Sequence, residues 1–116
     1  MDEVGLGSIE YAVEHLGTRL VVVLGHQHCG AVSAAVARAA ETGDIPNVLK
    51  AISPAVDETK DQPGDPVENA VRANARNIAK RLQSAGPIIA PLVQSGELKI
   101  VAAYYSLDTG QVELLK

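Results

Sequence analysis

The chain has few aromatic residues, one cysteine and no long apolar run, and each shortage excludes a class of protein. Its 116 residues include three tyrosines but no phenylalanine or tryptophan, so aliphatic side chains and alanine must fill the core. The single cysteine excludes an internal disulfide and is typical of a reducing compartment. No apolar segment approaches the roughly 20 residues that a membrane span needs, and no signal peptide is evident. We therefore expect a cytoplasmic protein.

Basic residues are too few to favour a polyanionic partner. Fourteen acidic and ten basic residues give a formal net charge of -4 at pH 7. This balance argues against nucleic acid and against an anionic membrane surface as partners, because both are negatively charged. The length predicts a single domain over residues 1–116, which is small but sufficient to bury a core.

The most informative segment is the apolar run Leu20–Leu24 and the loop that follows it, residues 25–30. An apolar run without alternation predicts a strand buried on both faces, as in a parallel sheet. The loop after such a strand lies where open α/β folds bind ligands. In that loop, His26 and Cys29 offer an imidazole and a thiolate, which are both zinc ligands. The spacing alone also fits a polar loop with a small buried thiol, and two residues do not complete a zinc site.

The first half of the chain predicts two helices around this strand. Met1–Gly7 is expected to be a lead-in, and Ser8 is expected to cap a first helix that Gly17 ends. An alanine-rich second helix is predicted from Ala31 to about Thr42.

The segment 44–57 predicts one or two short helical pieces, because Pro46 and Pro54 interrupt it. An exposed loop over residues 57–65 follows. Asp65 and the proline after it then form a strong helix start, and this helix should run to about Ser84. Three shorter elements are predicted beyond it: a helix within Pro87–Gln94, a buried strand at Leu98–Tyr105, and a hairpin strand at Gln111–Leu115.

These elements predict an α/β fold with a short, mostly parallel sheet, flanking helices and a closing antiparallel hairpin. The strands are few for this many helices. The apolar strand Leu20–Leu24 would then lie at a sheet edge, which requires a covering element. We expect either further strands or another subunit on that edge.

Several segments resemble the β-class carbonic anhydrases, and together they span nearly the whole chain. Residues 22–32 are similar to that family's Gly-His-x-x-Cys-Gly-Ala zinc motif, and residues 7–13 to the helix before its zinc strand. Residues 98–110 resemble its closing hairpin, and residues 69–77 also fit. The resemblance implies a Zn²⁺ cofactor, reversible hydration of carbon dioxide to bicarbonate, and a homo-oligomer built from dimers.

The resemblance implies that His26 and Cys29 are two of three protein ligands to zinc. The family's first cysteine lies in a Cys-x-Asp-Ser-Arg motif, which this chain lacks, together with the Arg-Asn-Ala-Gly segment that usually follows it. The domain therefore resembles the family without its first two strands. The catalytic residues stay unassigned, because the family's aspartate–arginine pair belongs to the absent motif.

A missing third ligand leaves several sources open. A second chain could supply its own Cys29, His26 or His28 across a symmetry axis, or a carboxylate such as Asp2 or Glu3 could serve. We expect His28 itself to be a surface residue rather than a substitute ligand.

Four other residues have simpler expected roles. His15 is expected to be solvated, and Tyr104 and Tyr105 to pack in their strand and across an interface. Gly30 either favours an anion through exposed backbone N–H groups or serves a tight turn.

Three hypotheses follow. The chain is a carbonic anhydrase whose site another chain or segment completes, or an inactive paralogue kept for assembly or for binding a small anion. The third hypothesis is a fragment of a longer protein. Met1 is compatible with a true initiator, with a misplaced start and with an engineered fragment.

Overall fold

A computed structural model describes residues 1–116 as five helices and a three-stranded mixed sheet. The elements are α1 Glu3–His15, β1 Leu20–His26, α2 Gly30–Val36, α3 Ile45–Thr59, α4 Pro66–Gln83, α5 Ile89–Gln94, β2 Lys99–Tyr105 and β3 Val112–Leu115. The strand order is β1-β2-β3, with β1 parallel and β3 antiparallel to β2. This is the α/β fold with a closing hairpin that the sequence predicts. None of the helices combines the length and apolarity that a membrane span requires.

The helix α4 is central to the core, and the sequence predicts it correctly. Asp65 caps it by accepting hydrogen bonds from the backbone N–H groups of Val67 at 2.9 Å and Glu68 at 3.5 Å. One apolar cluster joins α4 to α1, α5 and β2, and a second joins it to α2, α3 and β2. The side chains of α4 that are buried are mostly alanine: Ala70, Val71, Ala73, Ala75, Ala79 and Leu82.

The strand β1 packs tightly against α4 at Gly25. A Cβ atom at this position would lie 2.8 Å from Val71 Cγ1 and 3.3 Å from the Val71 carbonyl oxygen. The first contact could relax by a side-chain movement, but the second involves helix backbone. Gly25 therefore permits a helix–strand separation that a larger residue would prevent.

The expectation that β1 is buried on both faces is wrong for the single chain. Its residues alternate between half-buried and exposed along the strand. Leu20, Val22 and Leu24 are 54%, 43% and 51% exposed. They are exposed because β1 pairs only with β2 and its other edge has no partner, and because the helix α4 covers the opposite face.

The first helix begins earlier than predicted. Met1–Gly7 is not a lead-in, because Asp2 caps α1 by accepting a hydrogen bond from the Gly5 N–H at 2.7 Å. Ser8 lies inside the helix and donates its hydroxyl hydrogen to the Val4 carbonyl. Packing of Leu6 against the core offsets the low helix propensity of the glycines in this turn.

The second helix is shorter than predicted, and the third is continuous. The helix α2 ends at Val36 because Arg38 adopts a left-handed φ of 53°, and the next N–H then bonds back to the Ala34 carbonyl. No glycine marks this end. The helix α3 continues through Pro54, because its buried residues at helical spacing outweigh the lost backbone hydrogen bond.

The hairpin is fixed to α4 by the guanidinium group of Arg72. This group donates to Glu113 on β3 at 2.9 and 3.2 Å and to Glu68 at 3.3 Å. It also lies 4.2 Å from the ring centroid of Tyr104. The hydrogen bond and the positive charge of Arg72 lower the pKa of the Glu113 carboxyl group.

Replacing Gly25 by alanine should destabilise the fold. The new methyl group would overpack the contact with Val71, and such overpacking costs typically about 1–3 kcal/mol. Gly7→Ala is the matched control, since a Cβ there meets nothing within 4 Å and alanine favours a helix by roughly 0.5–1 kcal/mol. Urea unfolding measures both. Equal or greater stability of Gly25→Ala would contradict the close approach.

Acid should weaken the contact between Arg72 and Glu113. Because the folded-state pKa of Glu113 lies below its ordinary value of 4.5, the contact stabilises the protein above that pH and loses this effect as the pH falls through the lower value. We therefore expect the stability difference between the wild type and Glu113→Gln to be constant at neutral pH and to shrink below pH 4.5.

Urea unfolding over this pH range measures the difference. Glu41→Gln is the control, because Glu41 is exposed and lies outside the ion pairs of the fold. A difference for Glu113→Gln that does not change with pH would show that the ion pair does not stabilise the hairpin.

Candidate metal centre

His26 and Cys29 lie at the carboxyl end of β1, on either side of a two-residue loop. His26 is the last residue of the strand, and Cys29 is the N-cap residue of α2. Both border one small cavity of about 150 Å³ between β1, α2 and α4. The structure therefore brings together the two residues that the sequence singled out.

The imidazole of His26 is held in an orientation that suits a metal ligand. Its Nδ1 atom lies 3.0 Å from the carbonyl oxygen of Gln27. Because a carbonyl oxygen only accepts, this contact places a proton on Nδ1, and in the neutral ring Nε2 is then the nitrogen with the free lone pair. A metal-bound histidine is commonly fixed in this way by a hydrogen bond to its other nitrogen.

The thiol of Cys29 is free and half-buried. Its cavity is mostly apolar, and the only other polar side chain that borders it is Asn74. The donor set of this chain therefore fits two of the four positions that zinc fills. No group of three or more histidine, cysteine, aspartate or glutamate side chains in the chain is arranged to hold a metal ion.

The side chain of His28 does not border this cavity. Its backbone has a left-handed φ of 58°, and its Nε2 lies 4.0 Å from Asp108 Oδ1 at the hairpin. It faces a separate cleft of about 310 Å³, which Asp65 and Glu68 also border. His28 is exposed, which agrees with its predicted place on the surface.

The carboxylates proposed as a third ligand also lie outside the cavity. Asp2 is engaged as the cap of α1, and Glu3 occupies the first turn of that helix. Gly30 needs neither a left-handed backbone nor extra space, because a Cβ there would meet nothing within 4 Å. Gly30 is the first residue of α2, directly after the two-residue loop.

The structure places His15 on the surface and Tyr104 and Tyr105 in the sheet. His15 is exposed and its ring contacts that of Tyr11 in a tilted arrangement, with 4.9 Å between ring centroids. Tyr104 is buried in β2 below Arg72, whereas Tyr105 is half-buried. Burial raises the pKa of the Tyr104 hydroxyl, and nearby carboxylates add to this effect.

The role of Gln27 beside the two candidate ligands could not be predicted from the sequence. The side chain of Gln27 bonds to the hairpin at Ser106 and Asp108. Glutamine has no metal-binding or catalytic signature, and its partners lie about eighty positions further along the chain. No signal in a single sequence identifies this contact.

The chain is similar in sequence to known carbonic anhydrases. A family model described as carbonic anhydrase matches residues 1–112. Carbonic anhydrase 2 of Mycobacterium tuberculosis is 34% identical over 119 residues, covering 98% of this chain and 57% of that protein. A carbonic anhydrase of Helicobacter pylori is 30% identical, covering 92% of this chain and 53% of that protein. The chain thus spans little more than half the length of these relatives.

Solved structures give the same fold. The β-carbonic anhydrase CcaA superposes with a TM-score of 0.83 at 26% identity, over 100% of this chain and 60% of that one. A structure from work on two tetrameric β-carbonic anhydrases of Sordaria macrospora superposes with a TM-score of 0.81 over 99% of this chain and 61% of that one. At 22% identity, the second likeness concerns the fold alone.

Proposed function

Because the chain belongs to the β-class carbonic anhydrase family, we propose that it supplies two ligands, His26 and Cys29, to a zinc site for reversible hydration of carbon dioxide. Another chain or segment completes this site. The observation that carries the proposal is the hydrogen bond from His26 Nδ1 to the Gln27 carbonyl oxygen at 3.0 Å. It leaves Nε2 free to bind a metal, and His26 borders the cavity that Cys29 also borders.

A zinc ion held there would supply Lewis-acid activation of water. The chain's own contribution is to orient the ligands and to surround them with apolar side chains. Val32, Val71 and Ile78 border the cavity, and such a surrounding limits water and strengthens electrostatic interactions within it. The substrates of this site are carbon dioxide and bicarbonate.

The free edge of β1 is the place where a completing segment fits. A strand that pairs with β1 in parallel would end beside His26 and could bring a ligand from its own carboxyl end. Two copies of β1 paired edge to edge about a twofold axis run antiparallel. Full-length pairing of the seven-residue strands then leaves the two His26 residues about 20 Å apart, at roughly 3.3 Å per residue.

A homo-oligomer nevertheless fits the exposed apolar surface. Leu20, Val22 and Leu24 on β1 and Leu114 on β3 are all exposed on the single chain. Their cover by a second copy would remove apolar surface from water. A dimer or a larger assembly could therefore form independently of the strand that completes the zinc site. The free thiol of Cys29 suits a reducing cytoplasm.

An inactive paralogue is the second candidate, and one observation favours it. No third metal-ligating side chain borders the cavity of His26 and Cys29. In this case the scaffold serves assembly or the binding of a small anion. The two candidates differ in whether the purified oligomer holds zinc.

Native mass spectrometry with metal analysis separates them. We expect an oligomer that holds zinc at no more than one ion per chain, and loss of zinc in His26→Ala and Cys29→Ser. Loss of a direct ligand should weaken zinc binding by at least the roughly 10–100-fold that changes in outer-shell partners cost.

His15→Ala is the control, because His15 is an exposed histidine on α1 that lies outside the cavity. An oligomer without metal would show that a second copy does not complete the site, which leaves the inactive scaffold or a ligand from a further segment. Zinc binding that survives both substitutions would contradict the ligand assignment. Carbon dioxide hydration is then assayed only on zinc-loaded protein.

A further inference from the structure

The loop between the two candidate ligands is tied to the β2–β3 hairpin by Gln27. Its Nε2 donates to Asp108 Oδ2 at 2.9 Å, and its Oε1 accepts from Ser106 Oγ at 3.2 Å and from the Asp108 N–H at 3.1 Å. Its backbone N–H donates to the Tyr105 carbonyl at 2.9 Å, and its own carbonyl accepts from His26 Nδ1. Every polar group of Gln27 is therefore engaged.

The hairpin is a firm anchor for this side chain. The Ser106 N–H donates to the Gln111 carbonyl at 2.9 Å, and the Gly110 N–H donates to the Ser106 carbonyl at 2.8 Å. Ser106 Oγ also accepts from the Thr109 N–H at 3.3 Å. The turn is closed by its own hydrogen bonds, so it does not depend on Gln27 for its shape.

The loop, in contrast, needs external support. His28 holds a left-handed backbone conformation that is unfavourable for a residue with a side chain. Such conformations persist where the surrounding contacts determine them. The contact of His28 itself with Asp108 is long, at 4.0 Å, and exposed. The hydrogen bonds of Gln27 are thus the principal connection between the loop and the hairpin.

We propose that Gln27 is a positioning residue for the metal centre. By fixing the loop to the hairpin, it places its carbonyl oxygen against His26 Nδ1 and holds Cys29 at the shared cavity. This inference rests on the proposed function, since it assigns Gln27 a role toward the zinc ligands. Gln27 itself contacts neither metal nor substrate.

The chemistry of the contact requires an amide opposite a carboxylate. Gln27→Glu would place a second carboxylate at the 2.9 Å position beside Asp108, where a donor now lies. The two acceptors would repel each other and release the loop. Adding Asp108→Asn restores the hydrogen bond in the opposite direction, because the amide at position 108 now donates to the carboxylate at position 27. The backbone N–H of residue 108 and the Ser106 hydroxyl remain available to the new carboxylate.

The first measurement is Co²⁺ binding, followed by the thiolate-to-metal absorption band. We expect Gln27→Glu and Gln27→Ala to weaken Co²⁺ binding by about 10–100-fold, the range for outer-shell partners. The double variant Gln27→Glu with Asp108→Asn should recover wild-type affinity to within a few-fold. Gln94→Glu on α5 is the matched control. It makes the same chemical change at an exposed residue that does not border the cavity of His26 and Cys29.

The second measurement needs no metal. Cys29 is the only cysteine, so its rate of alkylation by iodoacetamide reports on the loop in the metal-free chain. We expect this rate to rise severalfold in Gln27→Glu and to return in the double variant, with the unfolding midpoint little changed. A purely structural role would lower the unfolding midpoint together with the change in rate.

The two measurements separate failure of this inference from failure of the proposed function. If the wild type binds no Co²⁺, this chain and its own copies do not form a metal site, while the alkylation rates still decide whether Gln27 holds the loop. Unchanged affinity and alkylation in Gln27→Glu, or a double variant that is no better than the single one, would overturn the inference.

Discussion

The fold depends on the close packing of α4 against the β1–β2 pair, which requires small side chains on both surfaces. Gly25 provides the space on the strand, and a row of buried alanines provides it on the helix. Both apolar clusters of the core include α4. The same contact fixes the end of β1, where His26 lies. Gly25 and the buried alanines of α4, which bind no metal or substrate, therefore help to determine the position of His26.

The candidate metal centre has two possible ligands, one at the end of β1 and one at the start of α2. The end of β1 orients one imidazole through the neighbouring carbonyl, and the start of α2 holds one thiol beside it. Under the proposed function, a strand on the free edge of β1 is one source of a further ligand. The chain itself then contributes two of the ligands.

The sequence predicted elements well where local signals and packing agree. The cap at Asp65 and the turn before β3 identify α4 and the hairpin. It failed where tertiary contacts decide: the early start of α1, the continuity of α3 through Pro54, and the left-handed Arg38 that ends α2. The motif identified His26 and Cys29, because their residue types bind zinc. Gln27 could not be found, because its role exists only through partners distant in the chain.

The free edge of β1 has a consequence for how the chain behaves during production in a cell. It presents unpaired backbone groups beside exposed Leu20, Val22 and Leu24, with no charge or proline within that apolar run to discourage pairing. Such an edge is a template for intermolecular β-pairing and aggregation. The concentration at which the chain stays dispersed therefore depends on how quickly this edge acquires a partner, and chaperones would be expected to bind it until it does.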